Sequence, residues 1–280
     1  MTPRRRGWRL TEPPPPRATP LEIEPGIRRI VAPNPSPMTY NGTNSWLADW
    51  DDGVVLIDPG SEDETHLDAI LAECRGRLSH ILLTHTHRDH LDGAVSLSRR
   101  AGVPTAGFRV SADPAFEADI KLEDGDRIGG LTVLHTPGHS MDHLCFSRDD
   151  GVIFSGDHVM GWSTSVVPPR PFGDLATFIA NLERVRDLHC RLMLSAHGPA
   201  ITDPSGTVQG LIEHRMAREQ SIAALLGHQP SALETLLGRA YVNLKPALLG
   251  PARANLLSHL IKLEQDGRAA HSDAGWRAPC

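Results

Sequence analysis

The stretch "LLTHTHRDHLDG", residues 82–93, places metal-binding side chains directly after an apolar run. His85 and His87 are two residues apart, so both project from one face of an extended segment. Asp89 and His90 follow, where a loop can turn them toward the same point. Imidazole and carboxylate groups are ligands that borderline divalent metals prefer. Four candidate ligands within six residues exceed what one tetrahedral zinc takes from a single segment, which predicts two metals on a shared scaffold.

Three further candidate ligands lie where later apolar runs end. His139 follows "LTVLHTPG", Asp157 follows "GVIFSG", and His197 lies within "LMLSAHGP". Each has a glycine beside it, and glycine lets the backbone approach a crowded centre closely. Asp58 in "VLIDPG" ends a fourth apolar run. Its carboxylate is either part of a turn or a partner that orients a ligand histidine.

Apolar patterns of period two and of period 3.6 alternate along most of the chain, which predicts α/β layers with helices outside the sheets. The predicted strands cover 27–33, 44–50, 53–60, 78–85, 104–108, 131–138, 143–149, 151–157 and 190–199. The predicted helices cover 63–77, 92–102 and 174–188. Because several strand ends carry His or Asp, we expect a site along one sheet edge.

The chain is predicted to contain three regions. Residues 1–24 are basic and proline-rich, and we expect a disordered tail there. Residues 25–205 form the catalytic domain, and residues 206–280 form a small C-terminal domain. Helical patterns at 206–227, 230–240 and 250–267, followed by a hairpin-like end, are typical of a winged-helix module.

Composition excludes several classes of protein. The 280 residues carry a net charge of -6, which gives no global attraction to nucleic acid or anionic membrane. No apolar run approaches the roughly 18–20 residues that span a bilayer. The four cysteines form no CxxC pair, so we expect isolated thiols and a reducing cytoplasm.

In order, the motifs resemble the signature of the metallo-β-lactamase superfamily. They are Thr84-His85-Thr86-His87-Arg88-Asp89-His90, Gly138-His139, Gly156-Asp157 and Ala196-His197-Gly198. Other segments, including "GHSMDHLCF", resemble the lactamase-beta-like protein 2 group within its glyoxalase-II-like branch. The resemblance implies a four-layer αββα sandwich, with a small helical, winged-helix-like region at its C-terminal end.

The resemblance also implies a ligand set. One metal would be held by His85, His87 and His139, and the second by Asp89, His90 and His197. Asp157 would bridge the two metals, and Asp58 would lie behind the ligands. The expected cofactors are two divalent ions, with Zn2+ favoured and Mn2+ or Fe2+ as alternatives.

The expected reaction is hydrolysis by a metal-bridging hydroxide, with Asp89 and Asp157 as catalytic residues. The substrate class we favour is a small-molecule ester, thioester or lactone. A phosphodiesterase acting on single-stranded RNA is the first alternative, because the resembling group includes an endoribonuclease. A non-catalytic binding protein with a vestigial metal site is the second, although the complete ligand set argues against it.

Three positions near the ligands are candidate substrate contacts: His143, Thr164 in "GWSTSVV" (161–167), and Arg215. In the C-terminal region, acidic residues largely cancel the basic ones, and few aromatic residues lie among them. Single-strand RNA sites usually combine a basic groove with stacking aromatics, so RNA binding is not evident. That region is expected to cap the active site or to form a homodimer.

Overall fold

The computed structural model describes residues 9–51 and 53–279 and contains two large β-sheets packed face to face. The strands of the seven-stranded sheet follow chain order: β1 (Leu21–Glu24), β2 (Ile27–Val31), β3 (Asn44–Trp50), β4 (Gly53–Ile57), β5 (Leu78–Leu82), β6 (Thr105–Phe108) and β7 (Ile120–Leu122). The five-stranded sheet has the order β12-β11-β10-β9-β8, with β8 (Arg127–Ile128), β9 (Leu131–His135), β10 (Leu144–Arg148), β11 (Val152–Gly156) and β12 (Leu192–Ser195).

Helices cover both outer faces of this pair of sheets. The helices are α1 (Glu64–Cys74), α2 (Arg88–Leu91), α3 (Ala94–Ala101), α4 (Leu175–Asp187), α5 (Pro204–Ala223), α6 (Leu233–Ala240) and α7 (Leu249–Gln265), with a 3-10 turn at Pro246–Leu248. Aspartates begin α1, α4 and α5, and each carboxylate accepts a hydrogen bond from a backbone N–H of the first turn. Such caps satisfy donors that have no partner within the helix.

Alternation along the strands produces the four layers. In β4, Val55 and Ile57 point into the core between the sheets, whereas Val54 and Leu56 point toward α1 and α3. The second sheet repeats this pattern, because Met193 of β12 faces α4 and α5 while its neighbours face the other sheet. The period of two places successive side chains on opposite faces, so both faces must be covered. The predicted αββα fold is confirmed.

The C-terminal residues form a smaller core of their own. Leu236, Leu256 and Leu260 pack there together with Trp276 of the hairpin formed by β13 (Ala270–Ser272) and β14 (Gly275–Arg277). Helix α5 contributes to both cores: Val208 and Leu211 lie in the α4–α5 layer, and Ile222 lies in the C-terminal core. The domain boundary at 205/206 stays a prediction, since α5 joins the two cores.

The predicted disorder of residues 1–24 is wrong for residues 9–24. Strand β1 pairs antiparallel with β2. Arg29 donates two hydrogen bonds to the Glu12 carboxylate, at 2.9 and 3.0 Å. The Leu10 N–H donates to the Gly161 carbonyl at 2.9 Å. Because the Arg29 side chain is only 5% exposed, it needs a buried counter-charge, and the N-terminal segment supplies it. Residues 1–8 lie outside the described residues.

Among the described residues, no helix combines the length and the apolar character needed to cross a membrane.

Cys74, Cys145 and Cys190 are free thiols, as predicted, and Cys280 lies outside the described residues. Burial raises the pKa of Cys74 and Cys145 to about 12, so neither is a reactive thiolate at neutral pH.

Candidate metal centre

The carboxyl ends of several strands meet at one edge of the sandwich. Strands β4 and β5 are parallel neighbours, as are β11 and β12. Strand β9 runs in the same direction as β11, because both pair antiparallel with β10. The predicted residues lie within four residues of these strand ends: Asp58 follows β4, His85 follows β5, His139 follows β9, Asp157 follows β11 and His197 follows β12.

The first group of ligand atoms belongs to His85, His87 and His139. The Nε2 atom of His85 lies 2.9 Å from Nδ1 of His87, and that Nδ1 lies 3.0 Å from Nε2 of His139. His85 and His139 are buried, while His87 is exposed. Three imidazole nitrogens thus converge on one point whose open side faces solvent.

The second group belongs to Asp89, His90 and His197. Oδ2 of Asp89 lies 3.3 Å from Nε2 of His197 and 3.7 Å from Nε2 of His90. Both histidine side chains are fully buried, whereas the Asp89 side chain is 30% exposed. One carboxylate at the mouth therefore faces two imidazoles at the base.

Asp157 lies between the two groups and presents a different oxygen to each. Its Oδ1 lies 3.3 Å from Nε2 of His197 and 3.8 Å from Nε2 of His90. Its Oδ2 lies 3.5 Å from Nε2 of His139. A carboxylate placed in this way is suited to bridge two cations.

The donor atoms fit a pair of divalent metals. Among the described residues, Nε2 of His90, Nε2 of His197 and Oδ1 of Asp157 are buried without a hydrogen-bond partner. Leaving a buried polar atom unpaired costs about 1–3 kcal/mol. Three such atoms that face one another are explained if they serve as metal ligands, and the histidine–carboxylate donor set suits zinc, manganese or iron.

Most ligand histidines are fixed from behind through their second ring nitrogen. Nδ1 of His90 donates to Asp58 at 2.8 Å, and Nδ1 of His139 donates to the Val166 carbonyl at 2.6 Å. The same Asp58 carboxylate accepts the N–H and the hydroxyl of Thr84, at 2.8 and 2.7 Å. Such bonds hold each ring in one orientation and leave Nε2 facing the centre.

Asp142 supports the centre and was missed in the sequence. Its Oδ2 accepts from the Thr86 hydroxyl at 2.6 Å and from the backbone N–H groups of Thr86 and Ala112, at 3.2 and 3.0 Å. Asp142 thereby fixes the turn between His85 and His87. Its position three residues after His139 was the available signal.

Burial and charge set the protonation of the ligands. Burial lowers the pKa of His85 well below its ordinary value. Although the His87 residue reaches the surface, the protein around its ring excludes water, and this desolvation, with the nearby His139, lowers the pKa of His87 to about 4. Burial also opposes the charge on His90, but the carboxylates of Asp58 and Asp89 outweigh it and raise the pKa of His90 to about 10. For Asp89, burial favours the neutral acid, yet His90 and His197 hold its pKa well below the usual range. At neutral pH His85 and His87 are thus in the neutral form that binds metals.

His143 is not a substrate contact, and that prediction is wrong. The residue is fully buried behind the centre. Its Nδ1 donates to the Thr136 hydroxyl at 2.9 Å, and its Nε2 accepts the backbone N–H of Asp157 at 3.1 Å. At Gly156, a Cβ atom would lie 2.6 Å from that Nε2, so only glycine allows this contact. His143 therefore positions Asp157.

Arg215 is also wrongly predicted as a substrate contact. It is 4% exposed, and its guanidinium lies 5.3 Å above the Phe178 ring. It donates to the Ser165 carbonyl and, at 3.4 Å, to the Asn255 side chain. Burial lowers its pKa to about 10. Arg215 thus anchors the loop that contains Thr164, the third predicted contact, which lines a cavity beside the centre.

Comparisons with known proteins match both regions of the chain. The Metallo-beta-lactamase superfamily pattern matches residues 38–197, and the Beta-lactamase associated winged helix domain matches residues 233–276. The Beta-lactamase-like protein 2 homolog of Drosophila melanogaster is 34% identical over 264 residues, covering 86% of this chain and 89% of that protein. The Atrochrysone carboxyl ACP thioesterase of Claviceps purpurea is 34% identical over 214 residues, covering 74% of this chain and 67% of that protein.

A solved structure shares the fold over nearly the whole chain. The beta-lactamase domain protein from Burkholderia ambifaria superimposes with a TM-score of 0.81 at 22% identity, covering 95% of this chain and 94% of that chain. At that identity the likeness shows the fold alone. Both the catalytic and the winged-helix regions therefore have matched relatives, as the sequence predicted. The chain belongs to the metallo-β-lactamase superfamily of metal-dependent hydrolases.

Proposed function

We propose that the protein is a two-metal hydrolase of small-molecule thioesters. The observation that carries the proposal is the position of Asp157 between two groups of ligand atoms, with one oxygen directed to each. His85, His87 and His139 would hold one ion, and Asp89, His90 and His197 the other. Zinc is the favoured metal, and Mn2+ and Fe2+ suit the same donors.

When bound, two divalent ions lower the pKa of water to about 7 and supply an oxygen nucleophile at neutral pH. Residues of the chain position the two ions and move the protons. Asp157 lies between the two groups of ligand atoms and directs one carboxylate oxygen to each. Asp89 is ionised and partly exposed at the mouth, where it can accept a proton from water and return it to the departing sulfur. The C–S bond breaks and a C–O bond forms with the oxygen of water. The thiol leaves with the proton that Asp89 returns, and the other proton of water stays on the carboxylic acid product, which releases it to solvent.

The thioester class is favoured by a relative. The Claviceps purpurea protein, which is named Atrochrysone carboxyl ACP thioesterase, matches most of this chain. Esters and lactones share the same carbonyl chemistry and remain within the proposed range. A thiolate is a better leaving group than an alkoxide because its conjugate acid has a lower pKa, so thioesters are expected to react fastest.

Cleavage of single-stranded RNA is supported less well by the charges of the C-terminal region. Lys262 contacts the carboxylates of Glu219 and Asp266, and Arg268 also contacts Glu219. Arg253 pairs with Glu234 at 2.6 Å. Cations that are already paired within the chain contribute little to a groove that tracks a phosphate backbone.

The test is a parallel assay of the zinc-loaded protein and of His85→Ala. The substrates are S-butyryl-N-acetylcysteamine, p-nitrophenyl butyrate, a homoserine lactone and single-stranded RNA. We expect metal-dependent hydrolysis of the thioester that is lost in His85→Ala by a factor of about 10³ or more, because one ligand of the reacting centre is removed. RNA cleavage without thioester cleavage would refute the proposal.

A further inference from the structure

Two adjoining cavities begin beside the metal centre. The inner cavity, of about 360 Å3, is lined by Trp162 and Val166 among other residues. The Val166 carbonyl accepts the hydrogen bond from the ligand His139. Trp162 packs so closely on Gly198, the residue after ligand His197, that a Cβ there would lie 2.7 Å from its ring. Two residues that line the inner cavity therefore also contact the candidate centre: Val166 binds His139, and Trp162 packs beside His197.

The outer cavity, of about 420 Å3, continues from the inner one. The two cavities share Pro37, Tyr241, Leu244 and Leu248, which lie on the loop before β3 and on the segment between α6 and α7. The shared residues join the two cavities into one path along the C-terminal domain, and its inner end is lined by Trp162 and Val166, beside the candidate ligands. A linear group attached at the reacting carbon can occupy that path.

The far end of the path is positive. Arg218 and Lys245 line the outer cavity, and no acidic residue lines either cavity among the described residues. The Arg218 guanidinium lies 4.8 Å above the Tyr241 ring, which holds it in place. Lys245 is exposed and has no carboxylate partner in the part of the chain that the structure describes. The unpaired cations predict an anionic ligand group at this end.

The inner cavity is apolar with a few polar groups on its wall. Met38, Met160 and Leu248 contribute apolar surface. Asn255 also lines the cavity, and its Oδ1 already accepts from the Val167 N–H at 3.0 Å. Within residues 9–51 and 53–279, neither Nδ2 of Asn255 nor the hydroxyl of Thr164 donates to another group, so both can bond a ligand. This combination suits an aliphatic arm that carries amides.

We propose that the two cavities bind the thiol side of the substrate, and that this side is a phosphopantetheine arm. The amides and methyl groups of the arm would lie in the inner cavity, and the phosphate would lie between Lys245 and Arg218. This inference rests on the proposed thioesterase function and specifies its substrate class. Lys245 would then determine specificity without touching the reacting atoms.

The experiment compares two substrates that differ only in the phosphate: S-butyryl-4′-phosphopantetheine and S-butyryl-pantetheine. For the zinc-loaded full chain we expect kcat/KM to be about tenfold higher with the phosphate, mostly through KM, since exposed ion pairs contribute modestly. Lys245→Gln should reduce that preference about fivefold, because the phosphate loses one of its two cations. The preference should also shrink in 0.5 M NaCl because salt screens exposed charges.

Lys121→Gln is the matched control, because Lys121 is an exposed lysine on β7 that pairs with Glu117. It should keep the full preference for the phosphate. Equal turnover of both substrates, or a preference that survives Lys245→Gln, would overturn the inference while leaving the thioesterase proposal intact. No turnover of either substrate would refute the thioesterase proposal itself and the inference with it.

The phosphopantetheine arm occurs both on coenzyme A and on acyl carrier proteins. Butyryl-coenzyme A and a butyrylated acyl carrier protein are therefore assayed in parallel with the free arm. A kcat/KM above that of S-butyryl-pantetheine for either one supports the inference and identifies the carrier. Values below it for both would contradict the inference, because each carries the phosphate that Lys245 should bind.

Discussion

Asp58 affects the centre only through the residues it holds. Its carboxylate binds His90 and Thr84 and is 1% exposed, and its backbone adopts a φ of 52°. That conformation is uncommon for a residue other than glycine and persists only where surrounding contacts enforce it. The position after a strand end predicted the location of Asp58, and the structure shows which ligand it orients.

Asp58→Asn should lower zinc affinity by about 10–100-fold, the usual effect of losing a group that orients a ligand. The amide cannot accept from both Thr84 and His90 as the carboxylate does, so the His90 ring is less firmly held. Competition with a chromophoric chelator measures the affinity. Asp273→Asn, at an exposed turn, is the control. Equal affinities in the two variants would show that Asp58 is only a turn residue.

His259 should make the protein lose stability in acid. It is 1% exposed, and burial, helped by Arg215 and Arg218, lowers its pKa from 6.5 to about 3. Between those values the unfolded chain binds a proton that the folded chain does not. The stability is therefore complete above pH 6.5 and falls below it, by about 1.4 kcal/mol per pH unit.

Urea unfolding from pH 7 to pH 4 tests this effect. His259→Leu should have a shallower decline than the wild-type protein, because the group that must be protonated on unfolding is gone. His228→Leu, at an exposed position, should keep the wild-type slope. If the curve of His259→Leu runs parallel to that of the wild-type protein, another group causes the acid sensitivity.

Some residues of the candidate site could be predicted from the sequence, and others could not. The convergence of the seven candidate ligands could be predicted because residue type, order and strand-end position all agree. His143 and Arg215 could not, because closeness in sequence does not say whether a side chain points into a site or behind it. His143 lies behind Asp157, and Arg215 lies beneath the 161–167 loop.

At the scale of elements, the N-terminal segment acts as a strap. Tyr40 donates to the Glu12 carbonyl at 2.9 Å and packs on Trp162, with 5.0 Å between the ring centroids. Arg29, bound to Glu12, also donates to the Gly198 carbonyl at 3.3 Å. Through Tyr40 and Arg29, the N-terminal segment is thus linked to Trp162 and Gly198, which lie beside the candidate metal centre.

Glu12→Ala should reduce the free energy of unfolding by about 2 kcal/mol, because it leaves the buried Arg29 without its counter-charge. Chemical denaturation measures the change. Arg17→Ala is the matched control: it breaks another ion pair of the same segment, but the Arg17 side chain is 65% exposed. That variant should lose less than about 0.5 kcal/mol. Similar losses of unfolding free energy in both variants would show that burial does not increase the contribution of the Arg29 ion pair.

Long periodic elements could be predicted, and short ones could not. The hairpin of β3 and β4, the helix α4 and the C-terminal hairpin lie where their patterns indicated. Strands β7 and β8 have three and two residues, too few to show a period. They form because neighbouring strands supply hydrogen-bond partners, which is information that a local pattern does not contain.

In the molecule as a whole, helix α7 bonds to the 161–167 loop, and that loop also fixes the candidate ligand His139. Ser258 of α7 donates to the Val167 carbonyl at 2.7 Å, and Asn255 of α7 accepts the Val167 N–H at 3.0 Å. The neighbouring Val166 binds His139. The 161–167 loop therefore links helix α7 to the candidate metal centre.

Ser258→Ala should destabilise the protein by about 1 kcal/mol, since the Val167 carbonyl loses a buried partner. Ser221→Ala is a matched control, because Ser221 is also a helical serine but donates only to the Ala217 carbonyl within its own exposed helix face. Its effect should stay within about 0.5 kcal/mol. Thermal unfolding distinguishes the two. Equal effects would contradict a link through Val167.

Titration of the metal-free protein with Zn2+, followed by calorimetry, tests the two-metal centre most directly. The arrangement of two ligand groups around Asp157 predicts about two zinc ions per chain, and about one in Asp157→Asn, whose amide oxygen cannot bridge two cations as a carboxylate does. A wild-type stoichiometry of one ion or none would contradict the account.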